Sequence, residues 1–203
     1  MAPKVTVEYK DEKRLAILDA ALHCFADKGY RDTTITDISN YLLMSKGSIY
    51  IYFTSKEDIY KQLMENRMEW MITQTSSKFG ELTTASEKLR LLVRMFTDQT
   101  LDDLKELLSF HLEFMLISSR QNSLKKVMHK HIEMATKFVQ DIIDEGKDSG
   151  EFRSDTDSYT ASTLFWALRD GLVLHSLGID VDEEYKAHMI GMEEMLFRYI
   201  ATL

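Results

Sequence analysis

The chain has 203 residues, a net charge of −8, 44% hydrophobic and 29% charged side chains, which excludes a disordered protein and allows one domain or two small ones with a real core. No apolar run is long enough to span a bilayer and Met1 to Arg14 is polar, so neither a membrane segment nor a secretory signal is expected, and the expected location is cytoplasmic. Cys24 is the only cysteine and Pro3 the only proline; this excludes an intrachain disulfide and, with eight glycines placed mostly at segment ends, argues for an all-α fold.

In chain order, Ile17, Leu18, Ala21, Leu22 and Phe25 recur at steps of three and four and predict a helix over 10–28. Gly29 supplies its left-handed stop and Tyr30 a hydrophobic lock. On this helix Cys24 reads as a small buried filler, and Lys13 and Arg14 as solvated. Thr34-Ile-Thr-Asp37 is a capping box that opens a second helix over 35–41, with Ile38, Tyr41 and Leu42 inward. Ser45 caps a third helix over 46–52, with Ile49 and Phe53 toward the core. Ser55-Lys-Glu-Asp58 opens a fourth over 56–78, and Thr84-Ala-Ser-Glu87 a fifth that reaches residue 99. A sixth covers 101–118. A seventh covers 123–147 and is stopped by Gly146 and Gly150. An eighth starts at 155–157 and ends near Gly178, and a ninth runs from Asp182 to the C-terminus.

Charge divides these nine helices into two parts. Residues 1–53 carry seven Lys/Arg and seven Asp/Glu; the rest carries the other 18 basic and 26 acidic side chains. A neutral head, residues 1–55, and an acidic body, residues 56–203, follow. Within the head no Asp or Glu occurs between Asp37 and Glu57, so an acidic protein keeps one helix-turn-helix free of negative charge. Phosphate repels carboxylates and attracts lysine and helix N-termini, which makes double-stranded DNA the expected partner of this segment.

The pattern Ile17-Leu18-x-Ala20-Ala21-x3-Phe25-x3-Gly29-Tyr30-x3-Thr34-x3-Ile38, followed by Ser45-Lys46-Gly47-Ser48-Ile49-Tyr50-x-Tyr52-Phe53-x-Ser55-Lys56-Glu57, resembles the TetR family of bacterial transcriptional repressors. The resemblance implies a third helix in the major groove, with Lys46 and Ser48 at base edges, Gly47 allowing close backbone approach, and Ser45 at the helix start. Thr36 is placed to touch a further base. Tyr50 and Tyr52 would bond phosphates, and Thr34 and Lys56, at helix N-termini, would clamp the DNA backbone. The sequence departs from the family at Leu42-Leu43-Met44, where Ala-Gly-Val is usual. A leucine in the glycine position resists positive φ, so a remodelled turn and a re-angled third helix are expected.

One helix-turn-helix reads few bases, so a homodimer on a palindromic operator is expected. The stripes Ala161, Leu164, Phe165, Leu168, Leu172, Val173 and Met189, Ile190, Met192, Leu196, Phe197, Ile200 are wider than one small core needs and suit a four-helix bundle between subunits. The body is rich in Met and aromatic residues. Trp70, Met71, Phe96, Phe110, Phe114, Met115, Met134, Phe138 and Trp166 singly read as ordinary core; that together they form the wall of a site for a small hydrophobic effector is chiefly what the resemblance implies. His111, on the inward stripe, reads either as a satisfied core histidine or as a ligand-bonding group, and Arg169, a charge beside Asp170 on an apolar helix, either pairs across the dimer or meets an anionic ligand. No cofactor is expected. His129 and His131 point to different faces of one helix and make no metal site. A Gly-rich phosphate loop, a nucleophile elbow and a His-carboxylate helix pair are all missing, so no catalytic residues are expected.

Overall fold

A computed structural model describes residues 6–179 and 181–202. The described residues form α1 (Val7–Asp32), α2 (Ile35–Tyr41), α3 (Lys46–Tyr50), α4 (Lys56–Lys78), a 3-10 turn at Phe79–Glu81, α5 (Ala85–Thr97), α6 (Leu101–Ser118), α7 (Asn122–Ser149), α8 (Ser158–Ile179) and α9 (Asp182–Ile200). The all-α expectation holds; among the described residues the one extended pairing is a single antiparallel bridge, Phe152 to Ala201. α2, α4 and α6 have the predicted limits. α1 continues beyond Gly29 to Asp32, although Gly29 itself leaves the helical region at φ 77°. α3 stops two residues early, at Tyr50.

The chain divides into two compact units, and the division does not fall at 55/56. One unit comprises the residues up to Arg67 together with Ser109–Met128; the other comprises Met68–Leu108 and the residues from His129 onward. The core of the first unit is built as the periodicity predicts, from Ile17, Ala21, Phe25, Ile38, Ile49 and Phe53, all essentially inaccessible to solvent. Around Tyr60 it becomes an aromatic cluster. The Tyr60 ring meets Phe25 at 5.0 Å, Phe110 at 5.1 Å and Phe114 at 4.8 Å between centroids, and stacks on Tyr30 at 4.2 Å. Offset and edge-to-face contacts of this kind add to the stabilisation from burial alone.

The Tyr60 hydroxyl is buried in this cluster without a hydrogen-bond partner. Burial pushes its phenol well above the usual tyrosine range. An unsatisfied buried hydroxyl costs more than an apolar edge of the same shape. Tyr60→Phe is therefore expected to raise stability by about 1 kcal/mol, read as a higher denaturation midpoint; a lower midpoint would show that the hydroxyl has a partner in solution.

In the second unit α5 opens with the predicted capping box: Thr84 accepts the Glu87 N–H, and Glu87 accepts the Thr84 N–H at 3.1 Å. Glu151 also accepts the first amides of this helix, from Ala85 at 3.1 Å and Ser86 at 2.9 Å, where a carboxylate is favoured by the free N–H groups and the helix dipole. α5 buries Leu89, Leu92, Val93 and Phe96. The Tyr185 hydroxyl on α9 donates to the Phe96 carbonyl at 3.2 Å.

α7 runs through Gly146 and ends beyond it, so only one of the two predicted stops acts as one. Gly150, at φ 81°, follows the last helical residue. Gly146 has another role: the Phe152 ring lies where its side chain would be, and a Cβ built there would stand 2.1 Å from Phe152 Cδ2. The Phe152 N–H donates to the Gly146 carbonyl at 2.9 Å, which holds the ring over the helix.

Candidate nucleic-acid interface

α2 and α3 are short, and each is set by its cap. Thr34 accepts the Asp37 N–H at 3.2 Å, and Asp37 reaches back to the Thr34 N–H at 2.8 Å, as a capping box requires. Lys28 donates to the same Asp37 at 2.7 Å. The Lys28 ammonium, and then the Thr34 hydroxyl and amide, hold the Asp37 carboxyl far below the usual carboxylate range. The negative charge nearest to the acid-free segment is thus already matched by a cation. At α3, Ser45 accepts the Ser48 N–H at 3.1 Å, and their hydroxyls lie 2.8 Å apart.

The helices leave one face of α3 to solvent. Ile49 is buried, whereas Ser45, Lys46, Gly47 and Tyr50 are exposed and Ser48 is half-buried. Thr34 is exposed, and Thr36 and Tyr52 are half-buried. A Cβ at Gly47 would meet only its own cap oxygen, Ser45 Oγ, at 3.8 Å, so this glycine keeps the helix surface low rather than answering a steric need of the fold.

Four sequence-based expectations change here. Leu43 does not remodel the turn. It takes the left-handed conformation at φ 53° with its side chain 95% exposed. The Leu43 N–H donates to the Asn40 carbonyl at 3.1 Å and the Met44 N–H to the Ser39 carbonyl at 2.9 Å. These are the two bonds of a Schellman stop, formed around leucine where glycine is usual. They hold the residue in a region that costs a β-carbon roughly 1–2 kcal/mol. Leu43→Gly is expected to raise stability by about 1 kcal/mol after the added freedom of the unfolded chain is subtracted; chemical denaturation checks it, and a loss of stability would mean the leucine is held by contacts of its own.

Lys56 is the second change. Its ammonium donates to the carbonyls of Tyr30, Arg31 and Thr33 and lies 4.5 Å over the Tyr30 ring. Burial pulls it below the usual lysine range, against the opposing pull of Asp32 and Glu113. The side chain expected to clamp phosphate instead closes the carbonyl end of α1; its backbone N–H, in the first turn of α4, is what remains for an anion. Arg14 is the third. It donates to Gln62 Oε1 at 3.1 Å and lies 5.1 Å over the Phe53 ring, a structural role in place of the solvated one. Tyr41, expected inward, is 57% exposed and stacks on His23. Cys24 is buried as expected, and burial pushes its thiol up, away from reactivity.

A tie missed in the sequence joins α6 to the same region. Glu113 accepts the Tyr30 N–H at 2.7 Å, directly after the Gly29 break. A carboxylate on an otherwise apolar stripe was the available signal.

The residues expected to line a ligand site are distributed between the two units. Phe110 and Phe114 belong to the aromatic core of the first, against Tyr60, and are corrected from wall to core. His111 is half-buried, and Met115, on the same helix, is exposed. In the second unit Trp70 is 53% exposed, Met71 and Met134 are half-buried, and Phe138 stacks on Phe79. Phe96, Trp166 and Arg169 do come together there: Phe96 meets Trp166 at 5.8 Å, and the Arg169 guanidinium lies 4.6 Å from the Phe96 ring. A cavity of about 410 Å³ is lined by Leu101, Asp102, Val181, Asp182 and Glu183, none of them among the predicted wall residues. Among the described residues no three His, Cys, Asp or Glu side chains are placed to hold a metal ion, and no helix is long and apolar enough to cross a membrane.

An acid-free recognition helix presented by a three-helix head, followed by a longer helical body, defines a helix-turn-helix DNA-binding protein. The profile of "Bacterial regulatory proteins, tetR family" matches residues 17–63, and that of "Tetracyclin repressor-like, C-terminal domain" matches 93–187. The chain belongs to the TetR family and is a DNA-binding transcriptional regulator, not an enzyme. It is 26% identical over 203 residues to the HTH-type transcriptional regulator YfiR of Bacillus subtilis, covering 100% of this chain and 97% of that one. Among solved structures, it is similar to the fatty acid degradation regulator FadR from Bacillus halodurans at a TM-score of 0.79 and 26% identity, covering 91% of this chain and 94% of that chain. FadR from Bacillus subtilis, solved in complex with stearoyl-CoA, is similar at a TM-score of 0.77 and 26% identity, covering 90% and 96%.

Proposed function

We propose that the protein is a homodimeric repressor that holds a palindromic operator and releases it when a small hydrophobic ligand occupies the body. The observation that carries this reading is the solvent-facing side of α3. Lys46, Gly47 and Tyr50 are exposed on it, and no carboxylate lies between Asp37 and Glu57. Laid in the major groove, Lys46 and Ser48 read base edges, with Lys46 favouring guanine O6 and N7, and Thr36 approaches from α2. Tyr50, Tyr52, the Thr34 hydroxyl, the Ser45 cap and the Lys56 amide meet the phosphates on either side.

Dimerisation is supported by apolar side chains that their own unit leaves uncovered. The stripes on α8 and α9 separate into an inner set, with Ala161, Phe165, Val173, Met189, Met192, Leu196 and Ile200 buried, and an outer set, with Leu164, Leu168 and Ile190 exposed beside Tyr159, Met195 and Tyr199. Two such helices from each subunit bury the outer set about a two-fold axis and place two heads ~34 Å apart, one turn of DNA. A ligand that binds a mis-spaced arrangement more tightly lowers operator affinity by its differential affinity for the two arrangements, and no more. The resemblance to a regulator solved with stearoyl-CoA supports a lipophilic effector.

The test is a titration of a palindromic fragment, selected from genomic DNA, at several salt concentrations. Log affinity is expected to fall linearly with log salt, by about 0.9 per neutralised phosphate, with two chains bound per site. An affinity indifferent to salt, or one chain per site, would overturn the reading.

A further inference from the structure

We propose that Arg169 is the anion-binding group of the effector site, so that the ligand is an amphiphile whose apolar body carries a carboxylate or phosphate. This deepens the preceding reading and rests on it. Arg169 lies on α8 with its side chain 16% accessible, and its Nε–H is buried without an acceptor. Among the described residues its hydrogen bond runs from Nη1 to Asp170 Oδ1 at 2.8 Å. Adjacent residues of a helix do not face each other, so Asp170 reaches one corner of the guanidinium and leaves the buried Nε–H unbonded. A buried donor on a charged group that lacks an acceptor is costly, and such a group in a folded protein calls for a missing partner.

The surroundings say what kind of partner fits. The Phe96 ring lies 4.6 Å from the guanidinium carbon and meets Trp166 edge-on at 5.8 Å. The neutral donors at this place are already engaged: the Trp166 indole N–H donates to the Ala135 carbonyl at 2.8 Å, and the Tyr185 hydroxyl to the Phe96 carbonyl at 3.2 Å. What remains is a cation edge beside two aromatic faces. An oxyanion takes that edge side-on through a charge-assisted bond, and the aromatic faces receive an apolar body. A neutral lipophile satisfies the second requirement and leaves the first unmet.

The test compares oleate with oleyl alcohol, which has the same chain without the charge, by quenching of Trp166 fluorescence in a Trp70→Phe background and by release of the operator fragment. Oleate is expected to bind more tightly than oleyl alcohol. Arg169→Met is expected to weaken oleate about 10- to 100-fold, and oleyl alcohol about 2-fold or less. Arg169→Met removes the Arg169–Asp170 bond, so Arg169→Met with Asp170→Asn provides a neutral pair if the single variant does not fold. Asp170→Asn alone removes the competing carboxylate and is expected to tighten oleate. Stearoyl-CoA in place of oleate separates a phosphate source of the anion from a carboxylate source; tight binding of either supports the proposal. Equal affinity of wild type and Arg169→Met for oleate, or no effect of Asp170→Asn, would overturn it while leaving a hydrophobic effector in place. Binding of neither oleate nor oleyl alcohol to the wild type would overturn it together with the effector reading.

Discussion

Lys46→Ala is expected to weaken operator binding by the loss of one specific base contact in each half-site, two per dimer at about 1–3 kcal/mol each, or at least about 30-fold, with the fold unchanged. Lys46 is the first residue of α3 and exposed, and among the described residues no carboxylate is bonded to its ammonium. Its charge is thus free to desolvate against a base edge or a phosphate. The two destinations are separable. A base contact relaxes selectivity at one position of each half-site; a phosphate contact lowers affinity for all sequences alike and reduces the salt slope by about one per subunit, so about two for the dimer. Fluorescence anisotropy against the selected fragment and single-base variants reads both. Unaltered affinity across the whole set would remove α3 from the groove. Lys56 offers the contrast. Its ammonium is engaged by three carbonyls of the α1 end, so its replacement acts on the fold before it acts on DNA.

Gly146→Ala is expected to destabilise the second unit by about 1–3 kcal/mol, although alanine is the better helix former by about 1 kcal/mol. The added methyl would overlap the Phe152 ring at 2.1 Å, and Phe152 is 2% exposed, with no space to swing into. Overpacking against a rigid ring has to displace the ring or the helix. The Phe152–Gly146 backbone bond and the bridge from Phe152 to Ala201 then fail together. Thermal denaturation followed by circular dichroism checks this. The double variant Gly146→Ala, Phe152→Ala is expected to lose less than the two single losses combined, because the clash vanishes with the ring. Strict additivity would contradict the steric account.

Most of the fold was legible because it depends on local rules. Thr34, Ser45 and Thr84 start helices for reasons contained within four residues, and the apolar stripe from Ile17 to Phe25 identifies the inward face without reference to any partner. Periodicity says which side chains turn inward and not what they meet. Phe110 and Phe114 were correctly inward, yet they meet Tyr60 and Phe25 and so complete the head, and only the tertiary structure decides that. Long cations fail for a related reason. Arg14 and Lys56 have stems that reach groups 48 and 26 residues away, which no window of sequence contains. Gly146 was legible as a glycine and illegible as a space, because the ring that fills it returns after the helix has ended. Leu43 shows the opposite case: a local rule correctly marks strain, and the surrounding hydrogen bonds override it.

The aromatic cluster around Tyr60 bears on how regulators of this kind can be recombined. A head excised at residue 55 would leave Phe25 and Tyr30 without Tyr60, Phe110, Phe114 and the Glu113 carboxylate. Transplanting the DNA specificity of this chain onto another body therefore demands that 109–128 travel with it, or that the recipient supply equivalent rings. A graft that respects the motif boundaries alone would hand the recipient a reading head with an open hydrophobic flank.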